Sequence, residues 1–178
     1  MHSQMKRCFM FILLFALAAC SVARVSYDYD KNTNFSNYTT YNYYDDMQTG
    51  LSPFDEKRLT RALDSVLQVK GYLLSEEPDF LVNIISEEFR NASQNAVGVG
   101  VGGTNRNIGG GISIGIPVGG SQLTRTIQFD FVDFQKNALF WQGISEGAFR
   151  ANASPSVREE QLRKVVEKVF SKFPPDLK

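Results

Sequence analysis

Arg125-Thr-Ile-Gln-Phe-Asp-Phe-Val-Asp133 is the stretch on which the fold turns. Arg125, Ile127, Phe129, Phe131 and Asp133 alternate with Thr126, Gln128, Asp130 and Val132, a period of two that predicts a half-buried strand. Phe134 to Asn137 reads as a turn, and Ala138 to Phe149 as the returning strand, with Trp141 expected in the core. An antiparallel pair of this kind needs a cover for its apolar face.

Two covers are visible. Before the pair, Leu59, Ala62, Leu63, Val66 and Leu67 recur at helical steps, with Ser52 as N-cap, Pro53 at the first helical position and Asp55 at the third. Gly71 is placed to end this helix. Asp55, Glu56, Lys57, Arg58 and Arg61 lie off the stripe and read as a solvated face. After the pair, Leu162, Val165, Val166, Val169, Phe170 and Phe173 make a second stripe, closed by Pro174-Pro175. Val22 to Tyr29, Tyr38 to Tyr44 and Phe80 to Phe89 have strand composition. The helix between the last two suggests a crossover joining parallel strands. The predicted class is α+β: a mainly antiparallel sheet with two amphipathic helices packed on one face.

Residues 97–120 hold ten of the fourteen glycines. Val97, Val99 and Val101, and later Ile112, Ile114 and Ile116, alternate with small residues, which reads as a glycine-rich hairpin or loop. Its bare glycine faces suit contact with something apolar, while a plain surface loop explains them too. Gly98-Val-Gly-Val-Gly-Gly103 spells a dinucleotide fingerprint, but no helical period follows, so no nucleotide is expected.

At the amino end, Lys6 and Arg7 precede an apolar run from Cys8 to Ala19, too short to span a bilayer. The run ends Leu17-Ala-Ala-Cys20, which looks like the lipobox of bacterial lipoproteins. Residues 1–19 are therefore expected to be a signal peptide, with Cys20 the lipid attachment site and residues 20–178 a single α+β domain. Cleavage removes His2 and Cys8, leaving no histidine and no cysteine but Cys20. Nucleophile–His pairs and His/Cys zinc sites are thereby excluded. The 178-residue chain carries 19 basic and 19 acidic groups, so charge recruits no nucleic acid.

Oxygen chemistry remains. Asp28, Asp30, Asn32, Asn34, Asp45 and Asp46 could ligate calcium, yet their spacing matches no EF-hand loop and solvated loop acids explain them better. Glu87–Glu88 and Asp130/Asp133 could pair as acid and base, but sequence does not place them together. Six tyrosines between Tyr27 and Tyr44 could stack on a partner or sugar. Burial of the rings with hydroxyls outward is the simpler expectation.

These pieces together resemble a lipoprotein family catalogued as domain of unknown function 4136. The resemblance rests on Cys20, Val25-Ser-Tyr-Asp28-Tyr-Asp30, Asn34-Phe-Ser-Asn37-Tyr38 and Leu51-Ser-Pro53. It continues through Lys70-Gly-Tyr72, Pro78-Asp-Phe-Leu-Val-Asn83, Phe131-Val-Asp133, Leu139-Phe-Trp-Gln-Gly143 and Lys172-Phe-Pro-Pro175. It implies a bacterial envelope lipoprotein and lends no catalytic residue; Ser21 after the acylated Cys looks like the pattern for export to the outer membrane. The expected function is non-enzymatic: a membrane-anchored protein, without cofactor or metal, that binds an envelope partner. A carrier or sensor of a small apolar or glycan ligand is the alternative, and a carboxylate-dependent hydrolase a third reading.

Overall fold

The computed structural model describes residues 23–91, 96–97, 116–117, 122–150 and 152–175. Six strands form one sheet: β1 (Arg24–Tyr29), β2 (Thr40–Tyr43), β3 (Leu73–Leu74), β4 (Phe80–Asn91), β7 (Gln122–Asp133) and β8 (Ala138–Phe149), in the order β1-β8-β7-β4-β2-β3. Two helices, α1 (Pro53–Val69) and α2 (Pro155–Val169), cover it, and a 3₁₀ turn, Phe170–Lys172, extends the second. β5 (Ala96–Val97) and β6 (Ile116–Pro117) pair antiparallel as a separate ribbon, joining the ends of the glycine-rich segment. The body of that segment, and the hairpin or loop expected there, lies outside the described residues, as do Cys20 and the signal sequence.

The sheet is mixed. β1–β8, β8–β7 and β7–β4 are antiparallel, whereas β2 runs parallel to β4 and to β3. The β2–α1–β4 passage is thus the parallel crossover that the sequence suggests. Its helix starts as read: Ser52 Oγ accepts the Asp55 N–H at 3.3 Å, and Pro53 occupies the first turn. It stops at Gly71, whose φ of +92° places it in the left-handed region. There the Gly71 N–H bonds to the Gln68 carbonyl and the Tyr72 N–H to the Leu67 carbonyl, both at 3.0 Å, a Schellman closure.

Strand alternation and register put every large core residue on the helix side of the sheet. Phe80, Val82 and Ile84 on β4 share that face with Ile127, Phe129 and Phe131 on β7, and all six are buried. Leu59, Leu63 and Leu67 from α1 and Leu162, Val166 and Val169 from α2 close over them. A register shift after Phe131 lets β8 turn both Phe140 and Trp141 inward. Phe131 then contacts Trp141 at 5.0 Å, Phe170 at 5.6 Å and Phe173 at 5.0 Å between ring centroids, tying sheet to carboxyl-terminal turn. Among the described residues no helix covers the opposite face, where Ile85, Phe89 and Leu139 are exposed.

Beyond Trp141, the helix side of β8 shrinks to Gly143, Ser145 and Gly147, the partners of Phe129, Ile127 and Arg125. That row of small residues decides how closely α2 approaches. A Cβ at Gly143 would lie 2.4 Å from Trp141 Cη2 and 2.6 Å from Val169 Cγ1. Gly143→Ala is therefore expected to lower stability by about 1–3 kcal/mol through overpacking. Val169→Ala in the same background should recover part of the loss, both read by chemical denaturation.

Candidate functional site

Asp55, expected in solvent, is fully buried. The helical wheel places it beside the stripe of α1, and arginines from its own helix and from two other elements surround its carboxylate. Its Oδ1 accepts from Arg58 Nη1 at 2.8 Å, one turn along. Its Oδ2 faces Arg158 Nη2 from α2 at 2.5 Å and Arg125 Nη1 from β7 at 3.8 Å. Arg125 in turn pairs through Nη2 with Glu88 on the neighbouring strand. Its guanidinium lies over the Phe149 ring, 3.4 Å from the centroid, with Arg158 at 5.8 Å from the same ring. Three guanidiniums thus meet two carboxylates. Removal of the Asp55 charge leaves the half-buried Arg58 and Arg158 without their carboxylate and Arg125 with Glu88 alone, which costs far more than loss of an exposed ion pair.

A cavity of about 140 Å³ opens beside this cluster, between β1, β8 and α2. Asp55, Arg125, Arg158, Lys164 and Lys168 supply its polar wall. Ala23, Ile127, Gly147, Leu162 and Val165 supply the apolar one. The space exists because Ser145 and Gly147 project so little from β8 towards the helix. Lys168 Nζ donates to the Ala23 carbonyl at 2.5 Å, so the last turn of α2 holds the start of β1. Arg125 offered the one sequence signal of this site: a charge in step with Ile127, Phe129 and Phe131 on the buried face. Asp55 offered little beyond its place beside the stripe, because Arg125 and Arg158 come from elements remote in sequence.

The four acids considered for acid–base work do not converge. Glu88 faces the helix side beside Arg125, whereas Asp133, also on that side, lies eight residues along β7 from Arg125, about 26 Å at the usual rise. Its carboxylate accepts from Tyr38 Oη at 2.8 Å and from the Lys136 amide at 2.8 Å. Glu87 and Asp130 lie on the bare side. Asp130 accepts from Gln142 Nε2 at 2.7 Å and from Gln128 Nε2 at 3.0 Å. Glu87 stands opposite Thr126, four residues from Asp130 in register and so about 13 Å away. Of the calcium candidates, Asp28 and Asp30 accept from backbone amides of Tyr29 and Asn32, both at 2.9 Å, and Asn34 Oδ1 caps Ser36. Among the described residues no group of three or more His, Cys, Asp or Glu could hold a metal ion.

Tyr41 is buried and Tyr29, Tyr38, Tyr43 and Tyr44 are partly so, whereas Tyr27 is exposed, and the hydroxyls of three of the six point to carboxylates, not to solvent. Tyr41 and Tyr43 both donate to Asp64 Oδ1, at 2.8 and 2.7 Å, and Tyr38 donates to Asp133. Burial first, then these hydrogen bonds and the carboxylate charges, push all three phenols well above their ordinary range. The parallel side of the sheet has its own clasp in Asp79, whose Oδ2 accepts the amides of Thr39 at 2.8 Å and Thr40 at 2.9 Å. Burial, the largest single influence, raises the carboxyl; together the Thr39 and Thr40 hydrogen bonds outweigh it and hold Asp79 below its usual value.

The sequence matches the family described as Domain of unknown function (DUF4136) over residues 25–175, and the chain belongs to that family. No curated protein matches it. Among solved structures, a PDZ domain protein from Parabacteroides distasonis is similar, at 12% identity and a TM-score of 0.57. That match covers 92% of this chain but only 39% of the other, so this chain spans well under half of that protein, and the likeness is one of fold. The PelC dodecamer from Paraburkholderia phytofirmans has TM-scores of 0.44 and 0.47 in two crystal forms, at 9% and 8% identity. Those matches cover 84% of this chain, and 95% and 96% of PelC.

Asp55→Asn is expected to destabilise the protein by about 3–5 kcal/mol. Glu159→Gln, which breaks the exposed pair with Arg61, should change stability by less than about 1 kcal/mol in the same denaturant titration. A carboxyl lowered on folding stabilises the native state above its unfolded value, 3.8 for Asp79, and that contribution is lost as pH falls through the lower folded value. Below about pH 4, stability should therefore fall less steeply in Asp79→Asn than in the wild type.

Proposed function

From membership of that family, we propose that the protein is a cell-envelope lipoprotein that works by binding and not by catalysis. In this reading Cys20 carries the lipid, the outer membrane holds it facing the periplasm, and the partner is an envelope protein. The observation that carries it is the one-sided sheet. Both helices lie on one side, and the other presents Ile85, Phe89 and Leu139 to solvent around the Asp130–Gln128–Gln142 hydrogen bonds. Exposed apolar side chains rimmed by polar ones suit protein recognition.

The lack of histidine after Ala19 and the scatter of Glu87, Glu88, Asp130 and Asp133 across two faces favour binding over hydrolysis. No helix among the described residues is long and apolar enough to cross a membrane, which accords with attachment through a lipid. Single-chain anchoring is marginal, whereas two or more acyl groups hold a protein stably.

Metabolic labelling with an alkyne fatty acid should mark the wild type and leave Cys20→Ala dark; equal labelling overturns the anchor. A photo-crosslinking residue at Leu139 should give discrete adducts in cells, and one at Arg61 on the exposed side of α1 should not. Identical patterns from both positions overturn the assignment of the bare face.

A further inference from the structure

The cavity between β1, β8 and α2 has more positive charge than the described residues neutralise. Arg58, Arg125 and Arg158 face only Asp55 and Glu88, one charge short. Lys164 spends its charge on Glu160 at 3.3 Å. Lys168 does not: it donates to the neutral Ala23 carbonyl, and among the described residues it pairs with no carboxylate. The Nε–H donors of Arg125 and Arg158 are both buried and both lack an acceptor, and Arg125 is only 8% exposed. A buried donor left unmatched is destabilising, so two in one cavity lining call for an oxygen ligand.

The apolar part of the lining calls for something else. Ala23, Ile127, Gly147 and Val165 offer no hydrogen bond from their side chains and favour an apolar body. A cavity of ~150 Å³ holds one benzene-sized molecule, so about 140 Å³ admits a headgroup with its first few carbons.

We propose that this cavity binds an anionic amphiphile, a carboxylate or phosphate group carried on an alkyl or acyl chain. Arg125, Arg158 and Lys168 receive the oxygens, and the chain runs along the small-residue row of β8. The inference is independent of the lipid on Cys20 and of the bare sheet face. A free fatty acid and a phosphate-bearing lipid share this chemistry.

A diazirine-bearing octanoate, irradiated with the full-length chain, separates them. Adducts are expected on peptides holding Gly147 and Val165. Octanoate competing better than octyl phosphate identifies a fatty-acid site, and the reverse order a lipid-phosphate site. Octyltrimethylammonium should not compete. Lys168→Gln, which leaves the Asp55 cluster intact, should reduce labelling about tenfold in protein whose far-ultraviolet circular dichroism remains that of the folded wild type. Val165→Phe should block it by filling the space. The proposal is overturned if adducts fall elsewhere, if the cation competes as well as the anions, if both variants label like wild type, or if inorganic phosphate alone competes as well as octyl phosphate.

Discussion

The carboxylate of Asp55 has no solvent contact where both helices and the sheet converge, and a buried charge survives there only if opposite charges replace its lost water. Arg58, Arg125 and Arg158 do so from α1, β7 and α2. Apolar stripes alone would let α1 and α2 slide along the sheet by a turn with little change in burial. A carboxylate that must meet two guanidiniums from other elements forbids such slippage. The same arrangement makes the surroundings electropositive, because Asp55 and Glu88 together cannot balance three guanidiniums.

Away from that end, the packing is aromatic. Phe80, Phe131, Phe140, Trp141, Phe170 and Phe173 form a continuous set of ring contacts that joins the middle of the sheet to the 3₁₀ turn after α2. Rings fill volume with few rotatable bonds, so this half of the protein is tightly specified. The other half, along Ser145 and Gly147, is sparsely filled, and the cavity lies there. Core and cavity are thus two ends of one strand, β8, whose inward residues change from Trp141 to glycine within a few positions.

Much of this was legible in the sequence because it depended on periodicity and punctuation. Ser52-Pro53 and Gly71 bracket α1 within a residue or two. The alternation from Arg125 to Asp133 gives β7 its faces, and the β2–α1–β4 spacing gives the parallel crossover. β3 escaped notice because two residues, Leu73 and Leu74, carry no period at all. Asp55 was misread for a different reason: its neighbours Glu56, Lys57 and Arg58 made it look like one more member of a charged surface, and only long-range partners bury it. The tyrosine hydroxyls follow the same logic, since Asp64 and Asp133 are visible as partners only once the chain has folded. Cys20 and most of residues 97–120 fall outside the described residues, so their readings rest on sequence.

The order of the sheet carries a mechanical consequence. β1 is an edge strand, yet six residue pairs bind it to β8, and the Ala23 carbonyl is clamped by Lys168 at the far end of α2. Tension entering at residue 23 therefore meets the strand ladder and the final helix together, and passes on to the central β7–β8 pair. The opposite margin, closed by β3 with only two paired residues, is where the sheet has least to resist being peeled apart. Of the two margins of the sheet, the one that carries the amino-terminal strand is the more firmly paired.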